Sequence, residues 1–97
     1  MTKLQKHNAA MLELANADQA AEMSYCATLC RTRGNGDVGR SAGAVASYLR
    51  VQAASANRRS YDADAIALAD AAGLCAAGNL DAAYSLLIAS LSPSKES

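Results

Sequence analysis

From Thr2 to Arg33 the chain contains neither Gly nor Pro. A stretch this long without a breaker, rich in Ala, Leu, Met, Glu and Gln, is committed to helix. These side chains lose the least rotamer freedom on helical backbone. The segment reads as one long helix, or as two with a break near Asn16–Asp18. At about 100° per residue, Leu12, Ala15, Met23, Cys26 and Cys30 share one stripe. Met11, Leu14, Ala21, Tyr25 and Leu29 share a neighbouring one, which leaves a polar strip of Lys6, Glu13, Ser24, Thr28 and Arg31. A helix apolar over more than half its girth is central in a bundle, or packs on its own domain and on a partner as well. Met11, Leu14, Tyr25 and Leu29 are therefore expected at a self-association surface, with a homodimer as the simplest assembly.

GNGDVG, Gly34 to Gly39, ends that helix. Its glycines and Asn-Gly pair supply positive-φ positions. Asp37 or Ser41 is placed to cap a second helix over Ala42 to Asn57. That helix shows Ala42, Val45, Leu49, Ala53 and Ala56 on its apolar stripe and Ser47, Arg50, Ala54 and Arg58 opposite. A third helix starts after Ser60 with Asp62 and Asp64 in its first turn, where the macrodipole favours acids. It ends at Gly78, and Asn79 opens a fourth helix that stops before Pro93. So short a link forces the last two helices into an antiparallel hairpin. No segment alternates over five residues with β-branched content, so no strand is expected. The expected fold is all-α: a compact bundle of about four helices with a long first helix, forming one domain over residues 1–92, and a disordered tail over residues 93–97.

The size of the core follows from which hydrophobic residues are present. Alanine supplies 24 of the 97 residues, and Phe and Trp are absent. Alanine buries little area, so the helices must approach closely through small side chains. A core this thin is one that a second chain often supplements.

Charge is distributed in blocks. Residues 1–30 carry two Lys and three acids, residues 31–60 carry six Arg and Asp37, and residues 61–97 carry five acids and Lys95; the blocks sum to zero. Arg31, Arg33, Arg40, Arg50, Arg58 and Arg59 are the candidate partner-binding residues. An acidic protein surface is the first expectation for their partner, and nucleic acid the second. A basic middle and an acidic end also allow two copies to dock basic on acidic.

Two local resemblances add to this reading. GNLDAAYSLLIASLSP resembles the second helix of a tetratricopeptide repeat, but Ala67 and Asp70 stand where the preceding repeat helix wants large apolar residues, and there is no second copy. AVASYLRVQAASANRR, Ala44 to Arg59, is similar to the helix-turn-helix of bacterial repressors. Ala46 and Val51 fit the early Ala and the apolar residue after the turn. The resemblance implies a DNA-binding regulator in which Ser55, Asn57 and Arg58 face bases or phosphates. Arg50, however, occupies the position where the turn wants Gly, and LRVQAASA has the propensity to run straight through as helix.

The chemistry-bearing residues are sparse. His7 is the one histidine, about 28 Å from Cys26 along an unbroken helix. Cys26, Cys30 and Cys75 are too few for a structural zinc site. We expect them to be reduced, small buried hydrophobes in a cytoplasmic protein without metal or cofactor. GNGDVG lacks the Lys-Ser/Thr of a phosphate loop. No apolar run approaches the roughly 18 residues of a membrane span. The functional expectation is a non-enzymatic, protein-binding helical module: a small accessory, regulatory or inhibitor protein of a bacterium or mobile element. The alternative is the DNA-binding regulator using residues 44–59.

Overall fold

The computed structural model describes residues 2–91, and the expected tail at 93–97 lies outside the described residues. Four helices account for the fold: α1 (Lys3–Thr32), α2 (Ala42–Arg58), α3 (Asp62–Ala76) and α4 (Leu80–Leu91). No strand occurs among the described residues; one isolated bridge joins Asn35 and Gly39. α1 is a single helix, with no break at Asn16–Asp18. Its start is a capping box: Thr2 Oγ1 accepts the Gln5 N–H, and the Gln5 side chain accepts the Thr2 N–H. Its end is Arg33 in left-handed backbone, φ 64°.

The GNGDVG loop then closes on itself. Asn35 and Gly39 exchange backbone hydrogen bonds, and Asn35 Oδ1 accepts the N–H groups of Asp37 and Val38. Gly34 is required here: its φ is +103°, and a Cβ would lie 1.8 Å from the Gly39 carbonyl oxygen. Ser41, not Asp37, caps α2, its Oγ accepting the Ala44 N–H at 3.0 Å. α2 runs without interruption through Arg50 and Val51. The turn that a helix-turn-helix needs at this point is therefore missing, which corrects the sequence resemblance over residues 44–59. The reason is local: no residue of LRVQAASA breaks helix, so the propagated hydrogen-bond ladder wins.

Packing follows the apolar stripes. α2 pairs most extensively with α3; α4 packs on α1 and on α3, and α1 touches α2 little. α4 runs antiparallel to α1, because Tyr84 meets Arg31 while Ser90 and Leu91 flank Asn16, Gln19, Ala20 and Met23. The core is Met23, Leu29, Val45, Leu49, Leu68, Leu80 and Leu87, with the three cysteines and seven alanines filling between them. Small side chains at these seams permit close helix approach, as the alanine-rich composition implies.

One element departs from a compact bundle. α1 is about 45 Å long and α4 about 18 Å, at 1.5 Å per residue. The core residues of α1 begin at Gln19. The half before it projects past the bundle as an arm, in line with the molecule's 50 Å long dimension.

Candidate functional site: the projecting arm and the arginine-bearing surface

The arm exposes Leu4, Met11, Leu12 and Leu14, each more than half accessible. Leu12 and Ala15 continue the side of α1 that, farther along, buries Met23, Cys26 and Cys30, and Leu4 and Met11 continue the side that buries Leu29. The helix thus carries its core-facing side beyond the point where the other described helices cover it. Of the four residues expected at a self-association surface, Met11 and Leu14 are exposed. Tyr25 and Leu29 are not. Leu29 is 1% exposed in the core. Tyr25 is half-buried, its ring edge-to-face with Tyr48 at 5.7 Å and its hydroxyl accepting from Asn35 Nδ2 at 2.8 Å. Both are corrected to members of the protein's own fold. They lie past Gln19, where α4 and α2 reach α1, and helical periodicity alone does not show where that coverage begins.

The six arginines do not form one patch. Arg31 stacks on Tyr84 of α4 at 5.6 Å. Arg33 and Arg40 flank a concavity with Tyr25, Thr28, Thr32 and Asn35. It opens at the C-terminus of α1, where the backbone carbonyls favour cations over anions. Arg50 and Arg58 stand exposed on the outward face of α2. Arg59 is a structural brace: its Nη2 donates to Gln19 Oε1 at 2.6 Å, and its guanidinium covers the Tyr61 ring at 5.4 Å.

Gln19 is the buried polar residue at the centre of that brace, 3% exposed. Its Nε2 donates to Asp64 Oδ2 at 3.1 Å, so one amide ties α1 to both the end of α2 and the start of α3. Tyr61 extends the junction by donating to Asn16 Oδ1. Nothing in the sequence marks Gln19, since glutamine is common on exposed helix faces; only its tertiary partners single it out.

The thiols sit in the core. Cys30 and Cys75 Sγ lie 3.5 Å apart, both buried. Burial pushes the Cys30 thiol up to about 12 and raises Cys75 as well. Burial, and then the Glu22 carboxylate, push Cys26 well above the thiol range. Tyr48 is raised by burial and by donating to Glu22 Oε2 at 2.7 Å. An activated nucleophile needs the opposite shift. Among the described residues, no three His, Cys, Asp or Glu side chains converge as metal ligands. No helix among them is long and apolar enough to cross a membrane.

Two further surface features went unread in the sequence. Ile66 stands 64% exposed on α3, between Asp62 and Asp70 one turn to either side. Beside it, a shallow groove between α2 and α3 is lined by Ala53, Ala54, Asn57, Asp62, Ala65 and Ala69. The signal was present as an Ile flanked at i−4 and i+4 by acids, a spacing that puts all three on one helix face. Comparison with known proteins found no matching family model, no matching characterised protein and no matching solved structure.

Proposed function

We propose that the protein is a non-enzymatic binding module that acts through its helical surfaces, with the projecting half of α1 as its partner-engaging element. The observation that carries this is the arm itself: Leu4, Met11, Leu12 and Leu14 are exposed on a helix that no other described residue covers. Leu4, Met11 and Leu14 stand seven and three residues apart on one side of the helix, and helices enter the apolar grooves of partner proteins through anchors spaced in this way. The capping box at Thr2 supports the reading, since it holds the free end of the arm helical in advance and lowers the ordering cost of binding. The upward-shifted thiols and Tyr48 phenol also fit binding better than nucleophilic or acid–base chemistry.

DNA binding is the weaker reading. α2 has no internal turn, and the alternative pair, α2 with α3 following a short turn, would present Asp62 and Asp70 to the phosphates. A regulatory, accessory or inhibitor role in the cytoplasm is consistent with a module of this kind.

The test places a photo-crosslinking residue at Met11 and, as a control, at Ser47 on the α2 surface. Protein from the native host should be captured from Met11 and not from Ser47. Replacing Leu4, Leu12 and Leu14 with Gln should abolish that capture while helicity and melting are retained. Equal capture from both sites, or capture indifferent to the Gln substitutions, overturns the assignment of the arm.

A further inference from the structure

We infer that the outward face of α2 and α3 pairs with the same face of a second copy of the chain, α2 of one subunit lying over α3 of the other, about a two-fold axis parallel to the helices. Four exposed charges carry the inference: Arg50 and Arg58 on α2, Asp62 and Asp70 on α3. Each pair is eight residues apart, about 12 Å along its helix. The two helices run antiparallel, since Asn57 shares the groove with Asp62 and Ala54 shares it with Ala65 and Ile66. Arg58 and Asp62 therefore stand at one level, Ala54 and Ile66 at the middle, and Arg50 and Asp70 at the other end.

A two-fold axis parallel to the helices preserves level and exchanges α2 for α3. It sets Arg58 over the partner's Asp62 and Arg50 over the partner's Asp70, twice each in the closed dimer. An axis in the same plane but perpendicular to the helices sets α2 on α2, with Arg50 against the partner's Arg58 and acids against acids. Like charges placed opposite one another disfavour that orientation. The charge pattern thus selects one of the two face-to-face arrangements.

The apolar part matches the selected one. Ile66 is a projecting side chain, and at its level across the interface lies the partner's Ala54, beside a groove lined by alanines. A large residue on one helix thereby meets small ones on the other, as knobs meet holes. Exposed ion pairs individually contribute little, so burial of Ile66 and the alanines holds the dimer while the charges orient it. The face is roughly 25 Å by 20 Å, about 500 Å² per subunit from helix length and diameter. That is below the usual size of a stable interface, so the dimer is a weak one. Arg50 and Arg58 thereby find an acidic protein partner in the twin chain, and both arms stay free. The arm plays no part in this pairing.

The experiment uses sedimentation equilibrium at low salt on the full chain and on two charge-reversed variants. One carries Arg50→Asp and Arg58→Asp, which makes the face all-acidic; the other carries Asp62→Arg and Asp70→Arg, which makes it all-basic. The wild type is expected to approach twice the chain mass as concentration rises. Each variant alone should remain at the single-chain mass, and their equimolar mixture should recover the dimer. Circular dichroism checks that the exposed substitutions leave helicity intact. If a reversal perturbs folding, Ile66→Lys, which touches no core position, should by itself weaken self-association at least tenfold. A wild type monomeric to millimolar concentration, variants that each still dimerise alone, or an Ile66→Lys protein that dimerises normally overturns the inference. Gln substitutions at Leu4, Leu12 and Leu14 should leave this dimer unchanged. If they abolish it while charge reversal does not, the twin sits on the arm and the α2–α3 pairing is wrong.

Discussion

Arg59 and Arg58 are adjacent, both arginine and both exposed, yet they should behave differently on truncation. Arg59→Ala removes the donor to Gln19 Oε1 and the guanidinium that covers Tyr61. Gln19 is 3% exposed, so its carbonyl oxygen loses its partner in a place water reaches poorly. Leaving a buried acceptor unsatisfied costs about 1–3 kcal/mol. Losing an exposed cation–ring contact adds about 0.5–1 kcal/mol. Because the Arg59 side admits some solvent, the lower half of the summed range applies, about 2 kcal/mol. For a domain of this size that lowers Tm by roughly 8–16 °C. Arg58→Ala, with no such partner, should stay within about 0.5 kcal/mol of wild type. The assay is urea unfolding followed by circular dichroism, repeated in a Gln19→Met background where the orphaned oxygen no longer exists. There Arg59→Ala should cost only the ring contact, so the two substitutions are coupled by about 1 kcal/mol or more. If Arg59→Ala costs the same in both backgrounds, or no more than Arg58→Ala, the brace does not hold α1 to the α2–α3 corner and the reasoning fails.

Gly34→Ala should destabilise by well over the roughly 1 kcal/mol that left-handed backbone alone costs a residue with a Cβ, because the added carbon also collides with the Gly39 carbonyl. Gly36→Ala, whose Cβ would meet nothing closer than Arg40 Nη2 at 3.7 Å, is the matched control, and chemical denaturation compares the two. Deleting residues 1–14 should leave the urea midpoint of the remaining bundle within error, since the core residues of α1 begin at Gln19; a clear loss would mean that the arm folds back on the domain. Stability should fall on the alkaline side. The unfolded thiols titrate near 9.0 while folded Cys30 stays protonated to about 12, and burial raises Cys26, Cys75 and Tyr48 in the same direction. The folded state then holds more protons than the unfolded one, so this contribution is complete below pH 9 and is lost as pH rises toward 12. Urea midpoints at neutral pH and at roughly pH 10 measure it, and equal midpoints would show that the thiols are not buried as described.

Much of the architecture was legible along the chain because it depends on local physics. The Gly- and Pro-free run from Thr2 to Arg33, the GNGDVG interruption and the Gly78–Asn79 pair each act through backbone entropy, positive φ or capping, and these need no knowledge of the rest of the fold. The stripe of Val45, Leu49 and Ala56 against Ser47, Arg50 and Arg58 also read correctly, since one periodicity sorts both faces of α2. Coverage was not legible. Leu12 and Met23 lie on the same side of one helix, and only the length of α4 decides that Met23 is core and Leu12 is surface. Leu29 and Leu14 likewise belong to one stripe, and one is buried while the other is not. Arg58 and Arg59 are indistinguishable by residue type; Arg59 became a brace because Gln19 of α1 arrives beside it from 40 residues away. Helical propensity and periodicity are properties of a few consecutive residues. Which part of an apolar face is covered, and which charge has a partner, depend on helices that meet only after the chain has folded.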